Sequence, residues 1–188
     1  MGFCVFNNVA VAAAHLRANG VARIAIVDFD VHHGNGTQDV FWEDPSVLYA
    51  SIHQFPWYPG SGSVRERGAG PGDGATLNCP MASGTGDLEW LRAFETQVIP
   101  AVDAFAPEFV IVSAGFDAHV ADPLSGTRVT EAGFHRMTEL LLDVARRRCG
   151  GKLVACLEGG YDLAALATSV ETHVAALRAS ATSARVGS

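Results

Sequence analysis

Three short apolar runs, each leading directly into polar or glycine-rich sequence, constrain the fold more than any other feature of this chain. The runs are Ile24–Val27, Phe109–Ser113 and Leu153–Leu157. Short runs rich in β-branched residues are typical of strands buried on both faces of a parallel sheet. Helical patterns stand between them, so the sequence predicts an α/β fold with helices on both faces of the sheet.

The first run ends in a cluster of side chains that bind metals in many proteins. Asp28, Asp30 and His32 follow Val27 at alternate positions. Side chains alternate along a strand, so all three are expected to leave it on one side. Unpaired buried charge is costly, and a divalent cation would compensate the two carboxylates. The alternative is a hydrogen-bond network at the strand end that holds no metal.

Two further polar residues follow the other apolar runs. Asp117 comes after Phe109–Ser113, and Tyr161 comes after Leu153–Leu157. Ligands of parallel sheets bind beyond the carboxyl ends of the strands, so Asp117 is expected to face the first cluster as a third metal ligand. Two carboxylates and one imidazole leave zinc an open position for water, whereas magnesium prefers oxygen ligands. Tyr161 is a candidate for a hydroxyl directed into the site.

Each of these residues also has a structural interpretation that the sequence leaves open. Asp117 alone would more often be a turn or helix-cap residue, and Tyr161 could pack over its glycine turn. His33 is either a donor behind the metal site or a core histidine, at even odds. His119 is predicted to be structural rather than catalytic.

The segment 53–74 is a long loop rich in glycine and proline, and loops of this length in compact domains are usually functional or disordered. Its adjacent Trp57 and Tyr58 favour a functional loop, either lining a narrow apolar channel or anchoring the loop.

Two more strands are predicted at Val47–Ile52 and Ala75–Pro80. Helices are predicted from Asn7 or Asn8 to Asn19, 36–43, Asp87 to Phe105 with a kink at Pro100, Thr130 to Arg147, and Leu163 to Ala179.

The composition of the chain limits the classes of protein to which it can belong. The chain has 188 residues, 48% of them hydrophobic and 18% charged, which predicts one domain over residues 1–179 and a disordered tail over residues 180–188. The net charge of -7 argues against nucleic acid as a partner and would attract a cationic substrate. The four cysteines show no C-x-x-C spacing, which favours reduced thiols. No apolar run approaches membrane-spanning length, so a cytoplasmic location is predicted.

Four motifs together resemble the zinc-dependent histone deacetylase family, especially its bacterial class II-like and acetylpolyamine amidohydrolase branches. They are DFDVHHGNGT, YPGSG, SAGFDAHVADPL and EGGYD, in that order along the chain. The resemblance runs from Gly2 to about Leu177. It implies an arginase/deacetylase-like three-layer sandwich with a mainly parallel sheet, and an enzyme that removes acetyl groups from acetyl-lysine or acetylpolyamine substrates.

The resemblance also implies roles for individual residues. Asp30, His32 and Asp117 would bind zinc, with ferrous iron as the alternative metal. Asp28 would share a structural monovalent cation, usually potassium, with nearby backbone carbonyls. Tyr161 would polarise the acetyl carbonyl and donate to the tetrahedral oxyanion. The residues expected to line the substrate tunnel are Gly2, Phe3, Tyr58, Gly159 and Gly160.

One departure from the family pattern affects the expected activity. Members of the family carry a tandem His-His pair shortly before the G-F-C motif, and one of these histidines serves as general base. Here G-F-C begins at Gly2, and His32 and His33 match the metal motif instead. We therefore expect an amino-terminally truncated domain that lacks the family's first strands, binds zinc and deacetylates poorly or not at all. The alternative is a non-catalytic metal- or ligand-binding remnant acting through a partner chain, and a homo-oligomer is one of the states left open.

Overall fold

A five-stranded, fully parallel sheet forms the centre of the computed structural model, which describes residues 4–186 and side chains as far as residue 180. The strand order is β3-β2-β1-β4-β5. The strands are β1 (Ile24–Asp28), β2 (Val47–Gln54), β3 (Thr76–Met81), β4 (Phe109–Ala114) and β5 (Leu153–Leu157). All five predicted strands are therefore present.

Six α-helices lie in the described residues, in the positions that the sequence predicts. They are α1 (Asn8–Ala18), α2 (Asn35–Val40), α3 (Asp87–Ala93), α4 (Ile99–Phe105), α5 (Glu131–Cys149) and α6 (Leu163–Val186). The side chain of Asn7 caps α1 by accepting from the backbone N–H of Ala10 at 2.9 Å. No helix in this part of the chain combines the length and apolarity needed to cross a bilayer.

Three details of the helices differ from the predictions. The predicted kink at Pro100 takes the form of a π-helical turn, Phe94–Val98, directly before α4, where proline has no N–H to continue the ladder. Asp87 does not cap its own helix, because its carboxylate accepts from the backbone and hydroxyl of Thr130 at the start of α5. Helix α6 continues to Val186, since no glycine or proline interrupts it after Ala179. The domain boundary at residue 179 stays a prediction.

The two faces of the sheet are covered by different helices, which gives three layers. Ile24 and Ile26 point to α1, where they pack with Val9, Ala13 and their neighbours. The side chains that alternate with these along the strands point to the opposite face of the sheet. There they pack against the π-helical turn and α3, α4 and α5, which bury a larger core. Every residue of β1 and β2 is buried, as expected for central strands of a parallel sheet.

The strand order places the polar strand ends side by side. The chain moves from β1 to β2 and β3 in one direction, and then returns to β4 and β5 on the other side of β1. Asp28 of β1 pairs in register with Ser113 of β4. The carboxyl ends of β1 and β4 therefore flank the point where the strand order reverses, which is where open α/β sheets form their ligand crevice.

Strand β5 forms an edge of the sheet in the described residues, since it pairs with β4 alone. Val154 is 41% exposed and Leu157 is 60% exposed. This edge strand therefore exposes two apolar side chains in the part of the chain that the structure describes.

Candidate metal centre

Asp30, His32 and Asp117 converge beyond the ends of β1 and β4. Their ligand atoms all lie within 4.8 Å of one another. The Nδ1 atom of His32 lies 2.9 Å from Oδ2 of Asp117 and 3.2 Å from Oδ1 of Asp30. The structure thus brings together the three residues that the sequence predicts as ligands.

Backbone N–H groups orient both carboxylates. Oδ2 of Asp30 accepts from the N–H of Gly159 at 2.8 Å, and Oδ1 of Asp117 accepts from the N–H of Val31 at 2.8 Å. The N–H of His32 also donates to Oδ1 of Asp30 at 2.8 Å. Such supporting bonds hold ligand atoms in a defined direction before a metal binds.

Two glycines leave the space that these carboxylates occupy. A methyl group on Gly115 would overlap the side chain of Asp30. A methyl group on Gly159 would overlap the carboxylates of both Asp117 and Asp30. The close approach of three chain segments around the cluster therefore requires glycine at both positions.

The cluster carries more negative charge than its own residues balance. Burial, followed by the charge of Asp30, raises the pKa of Asp117 above its ordinary value. Burial alone would lower the pKa of His32, but hydrogen bonds and charge from Asp117 and Asp30 outweigh it and raise that pKa to about 10. Both shifts mean that the site favours bound positive charge. The donor set, one imidazole and two oriented carboxylates, fits a divalent transition metal such as zinc.

A cavity of about 990 Å³ opens onto the cluster. Tyr161 and Tyr58 both line it, and each ring lies edge-on to the His32 imidazole with centroids 6.3 Å apart. Trp57 extends the wall, and its indole N–H donates to the carbonyl of Leu124 at 3.0 Å. The two adjacent rings of the long loop thus lie at the cavity, as the functional interpretation of that loop requires.

The other predicted site residues divide into three groups. Asp28 lines the same cavity but is buried, with its carboxylate accepting from the Tyr49 hydroxyl at 3.0 Å. Gly159 lines the cavity, whereas Gly160 packs against Leu166. Gly2 and Phe3 lie outside the described residues.

His33 and His119 have structural partners. His33 is buried, and its ring nitrogens lie 2.8 Å from the hydroxyl of Ser61 and 3.0 Å from Oε1 of Gln38. His119 lies under the loop that follows Asp117, where its Nδ1 accepts from the N–H of Ala121 at 3.1 Å. The structural interpretation of His119 is consistent with this contact.

Two acidic residues that anchor the site loops were not singled out in the sequence. Glu66 accepts from the backbone of Gly62 and Ser63 and from the Gln38 side chain, which fixes the loop that bears Tyr58. Asp122 accepts from the backbone N–H of Tyr161 at 2.7 Å. Glu66 carries no local signal, but an aspartate directly before Pro123 is typical of a turn that uses its side chain as acceptor.

Comparison with known proteins identifies the family. A model described as the histone deacetylase domain matches residues 1–177. Histone deacetylase 14, chloroplastic, of Arabidopsis thaliana is 47% identical over 178 residues, which cover 94% of this chain and 42% of that protein. A probable deacetylase of Archaeoglobus fulgidus is 43% identical over 162 residues, covering 86% of this chain and 45% of that protein.

Solved structures agree with these sequence matches. The crystal structure of the HDA15 HD domain superposes with a TM-score of 0.89 at 46% identity, covering 94% of this chain and 50% of that one. The histone deacetylase Clr3 gives a TM-score of 0.86 at 39% identity, over 92% of this chain and 30% of that one. The chain thus spans half the length of these relatives or less. On its sequence and on its fold, the chain belongs to the histone deacetylase family.

Proposed function

We propose that this chain carries the metal-binding part of a zinc-dependent amidohydrolase that removes acetyl groups from acetyl-lysine or acetylpolyamine substrates. The observation that carries the proposal is the convergence of Asp30, His32 and Asp117 beside a cavity whose wall includes Asp30, His32 and Tyr161. Histone deacetylase relatives act on acetylated substrates by name, and the whole protein's substrate is taken from that likeness.

Asp30, His32 and Asp117 would hold the metal, with zinc as the proposed ion and ferrous iron as the alternative. A bound zinc supplies Lewis acidity and lowers the pKa of a coordinated water toward ~7. The bonds from Gly159 and Val31 keep the two carboxylates directed at the cluster. The ligand set therefore needs little rearrangement to take up the ion.

Tyr161 is the proposed donor to the acetyl carbonyl oxygen. Burial, and then the carboxylates of Asp117 and Asp30, raise the pKa of its phenol further above the ordinary value. The phenol therefore keeps its proton at neutral pH and can donate a hydrogen bond as negative charge develops on the oxygen. Removing one such donor typically costs roughly 10²–10³ in rate.

Tyr58 and Trp57 are the proposed walls for the alkyl chain of the substrate. Both are about half exposed at the cavity and offer apolar ring surface to a chain of methylene groups. Gly2 and Phe3 complete the proposed tunnel. The acidic net charge of -7 would attract a cationic lysine-containing or polyamine substrate and disfavour nucleic acid.

Asp28 is the proposed ligand of a structural potassium ion. Burial, followed by the charge of Asp30, raises the pKa of its carboxyl well above the ordinary value. A monovalent cation beside it would offset that cost. A cytoplasmic location likewise remains part of the proposal.

A second candidate function is metal or ligand binding without turnover, through a partner chain. Its supporting observation is that His33 and His119 are engaged by Ser61, Gln38 and the Ala121 backbone. Neither imidazole is therefore placed to serve as a general base at the cluster, and positioned bases are usually worth ~10²–10⁴ in rate.

Zinc titration and acetate release together test the proposal. We expect the chain to bind one equivalent of zinc by calorimetry and Asp117→Asn to lose that binding. Zinc-loaded chain should release acetate slowly from an acetyl-lysine peptide or acetylspermidine, and Tyr161→Phe should reduce the rate further at unchanged zinc affinity. Zinc and peptide binding without any acetate release would favour the second candidate. Equal zinc binding by Asp117→Asn would refute both.

A further inference from the structure

A buried aspartate links two segments of the cavity wall that are far apart in sequence. Asp122 is 6% exposed. Its Oδ2 accepts from the backbone N–H of Tyr161 at 2.7 Å, and its Oδ1 accepts from the backbone N–H of Leu124 at 2.9 Å. It forms no ion pair with any side chain that the structure describes. The partners of its two carboxylate oxygens are therefore backbone N–H groups.

The bond to Tyr161 fixes the backbone at the point where a pair of glycines leads into helix α6. Gly159 and Gly160 precede Tyr161, and glycine gives the backbone more freedom than any other residue. Helix α6 begins only at Leu163, and its cap is Asp162, whose Oδ1 accepts from Ala165. Gly159 is itself held through its N–H by Asp30 and through its carbonyl by the N–H of Phe116, so the bond from Asp122 holds the backbone of Tyr161 between Gly160 and the first turn of α6.

The second bond closes a local turn at Leu124, two residues later, in a segment that forms part of the cavity wall. Leu124 lines the cavity, and its carbonyl accepts the indole N–H of Trp57 at 3.0 Å. Asp122 donates its own N–H to the carbonyl of His119 at 2.9 Å, which anchors it to the segment that follows Asp117. One carboxylate therefore connects the tyrosine, the Leu124 wall and the loop that bears Trp57.

We propose that Asp122 is a positioning residue that holds the Tyr161 hydroxyl in the cavity. It keeps this hydroxyl at a fixed position relative to the wall formed by Leu124 and Trp57. The proposal rests on the role proposed for Tyr161 in the deacetylation reaction. Hydrogen bonds to an ionised acceptor are about twice as strong as neutral ones, and a pair from one carboxylate fixes two segments relative to each other. Asp122 acts through Tyr161 and is not itself placed at the cluster.

The test variant is Asp122→Asn, which keeps the size and shape of the side chain. Asparagine has one acceptor oxygen, and its amide N–H₂ group would face the other backbone N–H. The matched control is Asp162→Asn, because asparagine caps helices as well as aspartate does and Asp162 has a single backbone donor to satisfy. Both variants remove one negative charge, so an effect of net charge would appear in both. The charge of Asp122 also raises the pKa of the Tyr161 phenol, and the amide-exchange measurement below separates that effect because it does not depend on phenol ionisation.

The first measurement is nitration of tyrosine by tetranitromethane, located by mass spectrometry. The chain has three tyrosines, and Tyr49 is fully buried while Tyr58 is 55% exposed, so they are the protected and the accessible internal references. We expect Asp122→Asn to raise the nitration rate of Tyr161 relative to Tyr58 several-fold, and Asp162→Asn to leave it unchanged. An unchanged rate in folded Asp122→Asn would overturn the proposal.

Amide hydrogen exchange provides the second measurement and includes the unaltered chain. The N–H groups of Tyr161 and Leu124 should be protected in the wild type, and Asp122→Asn should speed their exchange about ten- to a hundredfold, as expected for a lost bond to a charged acceptor. Amides of β5 should not change. Fast exchange of the Tyr161 N–H in the folded wild-type chain would overturn the proposal even if the variant failed to fold.

These readouts need no turnover. If Tyr161→Phe left acetate release unaltered, the catalytic role of Tyr161 would be refuted. The nitration and exchange results would still report whether Asp122 fixes Tyr161, so the two failures are distinguishable.

Discussion

Acid should weaken the packing of α6 through one buried histidine. His173 is 4% exposed and lies among aromatic rings, with centroids 6.2 Å from Phe29 and 5.7 Å from Phe116. The hydroxyl of Thr138 donates to the carbonyl of Phe134 at 2.7 Å, which assigns the imidazole proton to Nδ1, 2.8 Å from that hydroxyl. The Nε2 atom is buried without a hydrogen-bond partner among the described residues. A second proton there would place unpaired charge in an apolar site.

The magnitude follows from linkage between protonation and unfolding. Burial lowers the pKa of His173 from 6.5 to about 4. Between these values the unfolded chain binds more protons than the folded one, so stability is fully present above pH 6.5 and falls as the pH drops toward 4. At about pH 5 the expected loss of unfolding free energy is about 2 kcal/mol.

The assay is urea unfolding at pH 7 and pH 5 for the wild type and for His173→Phe, which keeps an aromatic ring among Phe29 and Phe116. The change in unfolding free energy between pH 7 and pH 5 is determined for each protein separately. Any effect of the substitution that does not depend on pH therefore cancels. Burial also lowers the pKa of His33 and His53, but both proteins share these groups. From pH 7 to pH 5, we expect the unfolding free energy of His173→Phe to fall by about 2 kcal/mol less than that of the wild type.

The exposed His135 of α5 supplies a matched control, and His135→Phe should retain the full acid loss of the wild type. Equal losses in the wild type and His173→Phe would refute the argument. Phe29 directly precedes Asp30, and Phe116 directly precedes Asp117. Loosening of α6 in acid is therefore also expected to disturb Asp30 and Asp117, two of the proposed metal ligands.

Three further predictions concern the fold and the site. Asp87→Ala removes both bonds to Thr130 and should lower the unfolding free energy by about 1–3 kcal/mol in urea denaturation, because it leaves the start of α5 without its acceptor. Gly159→Ala should abolish zinc binding in calorimetry while far-ultraviolet circular dichroism stays unchanged, since the added methyl overlaps the Asp117 carboxylate in a loop. Asp103→Asn should leave the melting temperature unchanged at high salt, because its ion pair with Arg148 is exposed and screened.

Local pattern alone predicts most of the fold. The three apolar runs mark β1, β4 and β5, the other two strands also lie where the sequence predicts them, and Asn7 and Thr130 mark helix boundaries. The errors occur where a side chain serves a distant element. Asp87 has the sequence of a helix cap, yet it accepts from Thr130, 43 residues away. Propensity rules do not include such a partner, because they consider only neighbours along the chain.

The metal cluster was predictable for a specific physical reason. Asp30 and His32 follow one buried strand and Asp117 follows another, and parallel strands deliver their carboxyl ends to the same edge. The sequence does not state that β1 and β4 are neighbours. The pairing of β1 with β4 in the folded chain makes them neighbours. This pairing places Nδ1 of His32 2.9 Å from the carboxylate of Asp117, 85 residues later in the chain.

The residue types at the strand ends therefore predicted by themselves a cluster of potential metal ligands at the edge of an α/β sheet. Only the tertiary structure decided which groups outside the cluster hold its surroundings in place: Asp122 at Tyr161, Glu66 at the Tyr58 loop and His173 in the aromatic core. Asp122 and His173 contact groups that lie tens of residues away in the chain, and Glu66 joins the Gln38 side chain to backbone N–H groups three and four residues before it. A single-residue pattern holds no information about such partners, because burial and hydrogen bonding are properties of the packed chain.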